Sequence, residues 1–219
     1  MAQPGYVPSC VSVFVIGSQF VAPYPFELIV STNSSGNHLV TDVDHKVLFK
    51  VKPCNSDYHE QRVLLGYDDQ PIALIREKNM CTRSTWNVFR GESKEDTDLI
   101  FSAKEPKIFQ SKTDLRVFLA NKTSSKEACD FKIAGSWTNR SCTIYMGNSS
   151  TAIAQMHKMT KNSKYIKDKF MVAINPNVDY AFVVALIAIV EAMKSSGDDE
   201  DVDNMVQAIG IVAQVVGAN

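Results

Sequence analysis

From residue 26 to residue 174 the chain alternates apolar and polar side chains in short runs broken by turn residues. Over residues 46–52, Val47, Phe49 and Val51 fall on one face, and Lys46, Lys50 and Lys52 fall on the other with Leu48 among them. A period of two with one apolar face marks a strand that is buried on one side and wet on the other. The same signature recurs at 26–31, 38–41, 62–65, 72–77, 85–90, 99–104 and 115–120, then at 129–133, 142–146, 153–156 and 170–174, with a weak run at 108–110. Clusters of Asn, Asp, Ser and Gly, such as residues 32–37, separate the runs at hairpin spacing. About twelve short strands of this kind predict an all-β sandwich or barrel. No helical segments alternate with them, which argues against a parallel βαβ sheet.

The pattern changes after residue 176. From Tyr180 to Val190 no residue is charged, and only the Tyr hydroxyl is polar. Asn177 suits an N-cap, Asp179 complements the helix dipole, Lys194 falls in the last turn, and Gly197 follows as a stop. The predicted helix, 178–196, is apolar nearly all round, so it is enclosed by protein or set in lipid. A membrane span needs ~20 apolar residues. The uncharged run here is 11, and extending it carries Glu191 into the hydrocarbon. Enclosure is therefore the expectation. A closed barrel of about twelve antiparallel strands has more room than its own side chains fill. The 18 residues from Asn177 to Lys194, about 27 Å of helix at 1.5 Å per residue, match the height of such a barrel. The fold class expected is mainly β with one central helix (α+β): a closed antiparallel barrel around a buried hydrophobic C-terminal helix.

The flanks divide the chain further. Residues 1–21 read as a loose arm, with residues 11–16 as an edge strand within it. Residues 22–196 form the barrel domain. Residues 197–219 begin with the acidic run Asp198-Asp-Glu-Asp201. An apolar stripe at Val202, Met205, Val206, Ile209, Val212 and Val216 follows, as in an amphipathic tail helix.

Composition narrows the function. A net charge of −1 gives no global attraction to nucleic acid or to anionic lipid. The five cysteines are odd in number and lack Cys-x-x-Cys spacing, which favours free thiols in a reducing compartment. The first Lys or Arg is Lys46, so no secretory leader is expected. The expected location is the cytoplasm, with the plasma-membrane surface or the nucleus as further destinations, and the chain is not expected to be an integral membrane protein. His38, His45, His59 and His157 are scattered, and His157 reads as a solvated turn residue. No nucleophile elbow, P-loop or dinucleotide fingerprint occurs, and Gly135-Ser-Trp137 reads as a turn before a buried indole. The expectation is no enzymatic activity, no cofactor and no metal. The acidic run lacks the alternating ligands and central Gly of a calcium loop.

One charge cluster stands out. Lys158, Lys161, Lys164, Lys167 and Lys169 are opposed only by Asp168, leaving a local charge of +4, with Tyr165 and Ile166 adding apolar bulk. Such a loop suits an anionic membrane surface, at ~1 kcal/mol per basic residue near the lipid. The plainer reading is a hairpin loop kept soluble by lysine. No recognition helix or stacking platform points to nucleic acid. Lys50, Lys52, Arg76 and Lys78 are further wet-face candidates for head-group contacts.

Several stretches also resemble a known family. They include Ala22-Pro-Tyr-Pro25, Val40-Thr-Asp-Val43 with Leu48-Phe-Lys-Val-Lys52, Arg62-Val-Leu-Leu65, Leu74-Ile-Arg-Glu-Lys78 and Trp86-Asn-Val-Phe-Arg-Gly91. Cys129-Asp-Phe-Lys-Ile-Ala-Gly-Ser-Trp137, Ala154-Gln-Met-His157 and Asn175-Pro-Asn-Val-Asp-Tyr-Ala-Phe182 complete the set. In this order the chain resembles the LURP-one-related proteins of plants. That likeness implies a tubby-like fold, shared with tubby proteins and phospholipid scramblases, in which twelve strands surround a hydrophobic C-terminal helix. It also implies a setting in plant defence. Tubby relatives hold phosphoinositide head groups on Lys and Arg of the barrel surface, and no position is carried over from them. The family pattern has a Gly-containing turn after Thr-Asp-Val, where this chain has Asp44-His45, and the tail from Asp198 is longer than the family implies. Three readings follow: a non-enzymatic module on anionic, phosphoinositide-containing membranes; a protein-interaction module that docks through the tail helix; and scramblase-like lipid translocation.

Overall fold

The structure, a computed structural model, describes residues 12–54, 60–78, 85–105, 113–121, 128–159 and 168–193. Among these residues lie twelve strands: β1 Phe26–Thr32, β2 His38–Thr41, β3 Val47–Pro53, β4 Gln61–Gly66, β5 Pro71–Lys78 and β6 Thr85–Arg90, then β7 Leu99–Lys104, β8 Thr113–Leu119, β9 Phe131–Ser136, β10 Ser141–Met146, β11 Ala152–Lys158 and β12 Asp168–Ile174. Each pairs antiparallel with the next in sequence, and β12 returns to β1 from Phe26↔Ile174 to Thr32↔Asp168, closing the barrel. Closure leaves no strand edge unpaired, which removes the usual route to edge-to-edge aggregation. The weak run at 108–110 and the tail from 197 lie outside the described residues.

The alternation read from the sequence is the inside–outside alternation of the wall. Leu28 and Val30, Phe49 and Val51, Ala73 and Ile75, Leu115 and Val117, and Val172 and Ile174 are all buried. They face α1, residues 180–193, in which Ala181 to Val190 and Ala192 are almost wholly shielded from solvent. Ring contacts fix the helix inside: Phe182 lies 5.2 Å from Phe101 on β7 and 4.9 Å from Phe131 on β9. Burying each such side chain is worth about 1.5–3 kcal/mol, so wall and helix stabilise one another. Among the described residues, no helix is long and apolar enough to cross a membrane.

The two strand-end details flagged by the sequence have local causes. His45 takes the left-handed conformation (φ 64°) that glycine would supply, and the hairpin holds because Asp42 accepts the Lys46 amide at 2.9 Å through its side chain. Gly135 has φ 141°, and a Cβ there would sit 2.8 Å from Cys142 Cα on β10. The close approach of two backbones therefore requires glycine at this point of β9.

Two expectations are corrected. The helix is capped by Asp179, not Asn177: Asp179 Oδ1 accepts the Phe182 amide at 3.0 Å. Asn177 instead adopts φ 63° and exchanges backbone hydrogen bonds with Val13 and Ala22. The arm is not loose from Ser12 onward. Val13 and Ile16 are buried, Val13 bridges to Val178, and Val21 bridges to Asp179. The other carboxylate oxygen of Asp179 accepts the amides of Val15, Ile16 and Gly17 at 3.2, 2.7 and 3.0 Å. Burial pushes the Asp179 carboxyl above its usual range, and these four donors oppose that rise. Asp179→Ala is expected to cost about 3 kcal/mol, from a lost cap and lost charge-assisted bonds. Calorimetry would show it as a Tm lower by roughly 6–12 °C, with faster amide exchange at residues 15–17.

Candidate functional site

The antiparallel order gives the barrel two unlike ends. The arm and Asp179 occupy the end where α1 enters. At the opposite end β1, β3, β5, β7, β9 and β11 finish, and α1 reaches Glu191. Apart from Thr41 and Asp179, the buried polar and charged side chains of the described wall gather at this exit end: Thr32, His38, Gln61, Arg62, Thr85 and Thr113. Glu191 lies 2.7 Å from Arg140, in the turn between β9 and β10. The Arg140 guanidinium stacks 4.6 Å from both the Trp137 and Phe170 rings. The one carboxylate on the apolar helix is thus met by a cation held between two aromatic faces.

Arg62 links the cluster to β2. It lies 3.0 Å from His38 Nε2 and forms an ion pair with Glu60 at 3.0 Å. A guanidinium can only donate, so Nε2 accepts and the His38 proton is assigned to Nδ1. That leaves the imidazole no free lone pair with which to act as a base. Burial, then the charges of Arg62 and Arg140, lowers the His38 pKa to about 3. Sequence reading missed this cluster. Its signal was a polar residue in the inward phase of a strand, as at Thr32 after Leu28 and Val30, His38 before Val40, Arg62 before Leu64, and Thr113 before Leu115.

The predicted basic residues that are described lie on the outer wall. Lys169 on β12 pairs with Ser31 on β1, Ser31 with Leu39 on β2, and Leu39 with Lys50 on β3, so these four form one cross-strand row. Lys52 lies two residues further along β3. Beside this row a cavity of about 390 Å³ is lined by Ser31, Thr32, Asn33, Asn37, His38, Leu39, Lys50 and Lys52. Leu39 is 41% exposed at its centre. Asp69 reaches back to Lys50 at 2.7 Å and Lys52 at 3.4 Å. The hydrogen bond from Lys50 holds the Asp69 carboxyl below its usual range. Arg76 and Lys78 line a separate hollow of about 250 Å³ with Lys94, Asn87 and Phe89, where Glu77 and Asp96 bring opposite charge. Lys158 ends β11 and is exposed, while Lys161, Lys164 and Lys167 lie outside the described residues. His157 is exposed within β11 and not in a turn. Cys54, Cys129 and Cys142 form no disulfide. No group of acidic, His and Cys side chains that could hold a metal ion occurs among the described residues.

A family model described as LURP-one-related matches residues 27–191, from the second residue of β1 to the carboxylate that Arg140 meets. The chain belongs to the LURP-one-related family. LURP-one-related 15 of Arabidopsis thaliana is 40% identical over 183 residues, covering 81% of this chain and 84% of that protein. LURP-one-related 10 of the same plant is 41% identical over 194 residues, covering 85% and 99%. An X-ray structure of an Arabidopsis thaliana protein superposes with a TM-score of 0.66 at 36% identity, over 83% of this chain and 98% of that one. The LURP-one-related match takes in all of the barrel but Phe26 and most of α1, and leaves residues 1–26, the arm among them, outside it.

The His38 environment gives a pH dependence. Its folded pKa lies near 3, against 6.5 when unfolded. The unfolded chain therefore binds the extra proton between those values, and stability falls as pH drops below 6.5. At pH 5 the loss due to this group is about 2 kcal/mol. Urea unfolding at pH 7 and pH 5 should show a difference smaller by that amount in His38→Gln, and an equal difference in both proteins would assign the effect to other groups.

Proposed function

We propose that this LURP-one-related protein is a non-catalytic docking module that holds anionic head groups, those of phosphoinositides foremost, on the wall formed by β12, β1, β2 and β3. The observation that carries the reading is the row Lys169–Ser31–Leu39–Lys50, bordered by Lys52 and the adjacent 390 Å³ cavity. Ammonium groups supply charge, the hydroxyl and amide groups of Ser31, Asn33 and Asn37 supply hydrogen bonds, and the exposed Leu39 supplies apolar contact with the interface. In sequence, Lys161, Lys164 and Lys167 fall between Lys158 and Lys169 and are outside the described residues. The plant-defence setting and the tubby-like comparison enter as what the family resemblance implies for such a module. Scramblase-like translocation finds no support, because the helix that would enter the bilayer is enclosed by the barrel. The tail-docking reading concerns residues outside those described.

Flotation with phosphatidylcholine vesicles, with and without phosphatidylinositol bisphosphate, tests the proposal. The combined Lys50→Ala, Lys52→Ala and Lys169→Ala variant should bind the anionic vesicles about 100-fold more weakly, at ~1 kcal/mol per lysine. Asp69→Asn should bind more tightly than the unmodified protein, because it releases two lysines from a competing carboxylate. Unchanged binding in the triple variant would place the site elsewhere.

A further inference from the structure

We infer that the end of the barrel where α1 enters carries a separate binding site, for a small aromatic molecule bearing a negative charge. The site is a cavity of about 600 Å³ between the β2–β3 and β4–β5 hairpins, a volume typical of small-molecule pockets. It is independent of the lysine wall.

The lining argues for an aromatic guest. Phe20 from the arm, Phe49 from β3 and Tyr180 from α1 border the cavity. Their rings are mutually tilted: Phe20 and Phe49 are 5.6 Å apart at 64°, and Phe20 and Tyr180 are 5.9 Å apart at 74°. Phe49 and Tyr180 are 5.6 Å apart at 50°. A set of edges and faces in this arrangement favours a further ring, which can meet them edge to face or offset-stacked. Leu48 and Ile72 add aliphatic walls. On the rim stands Tyr67, 72% exposed, an aromatic side chain held in water beside an apolar hollow.

The polar groups argue for the charge. Lys46 lies on the rim and makes no ion pair among the described residues. Asp68, also on the rim, turns its carboxylate back to accept the Gln70 amide at 3.3 Å. The Tyr180 hydroxyl has no hydrogen-bond partner among the described residues. Burial raises the Tyr180 pKa, so the phenol stays a neutral donor. One cation and one free donor beside an apolar cavity match a carboxylate or sulfonate on an aromatic body.

The location couples the site to the helix entry. Phe20 is three residues from Gly17, and Tyr180 follows Asp179, whose carboxylate accepts the Gly17 amide. A guest touching both rings braces the arm against α1.

The test is calorimetric titration of the full-length protein with 2-naphthoate, alongside the cation 2-naphthylmethylammonium. We expect naphthoate to bind, and to bind about tenfold or more weakly to Lys46→Glu, a factor that corresponds to 1.4 kcal/mol, while the Tm of that surface variant is unchanged. The cation should bind the unmodified protein less well and gain in Lys46→Glu. Tyr180→Phe should weaken naphthoate severalfold, and saturating naphthoate should slow amide exchange at Val15, Ile16 and Gly17. Absence of naphthoate binding, equal binding to Lys46→Glu, or binding without protection of those amides would overturn the inference.

Discussion

A helix with no charged residue over eleven positions must be covered on every side in water, and a closed sheet made by the same chain is what covers α1. The constraint runs in both directions. Without the helix, twelve strands would surround an interior that their own side chains do not fill. Without the wall, Phe182 and its neighbours would stand in solvent. Packing of the helix against all sides of the sheet also explains its run of alanines. Ala181, Ala185, Ala188 and Ala192 recur at helical spacing along one stripe, and small side chains let the wall approach where larger ones would strain it.

The two ends of the barrel solve different problems. At the entry, backbone amides of the arm converge on one carboxylate, which is also the helix cap. At the exit, the helix has to pass from an apolar interior toward solvent, and the polar residues that end or begin neighbouring strands mediate that change. Arg140 combines both demands. Its charge meets Glu191 and its planar face stacks on Trp137 and Phe170, so a cation is accommodated in a largely apolar setting. The outer wall carries Lys50, Lys52 and Lys169.

Much of this was legible in the sequence. The period-two runs located the strands within three residues at either end, because one wet and one buried face leave an unmistakable alternation. The length of the uncharged run and the position of Glu191 placed the helix inside protein. What escaped was information that lives between distant segments. The arm looked loose because Val13 and Ile16 acquire their meaning only from Val178 and Asp179, some 165 residues away. Asn177 looked like the cap because caps are read locally, whereas the arm recruits Asp179 to bond on both sides. The lysines were visible as a list, but the row across β12, β1, β2 and β3 depends on registers that no single strand encodes. The exit cluster was spelled out as polar residues in inward phase, a signal hidden by the assumption that every inward position is apolar.

The pairing of β1 with β12 has a bearing on biosynthesis. The first strand to leave the ribosome waits for the last, and the helix that fills their enclosure emerges later still. Until then the apolar lining of eleven strands has nothing to cover it. Contacts of such long sequence separation slow folding, and partly closed sheets of this kind are prone to misassociate. A chain cut short before residue 180 would hold the wall of the barrel without the helix that fills it.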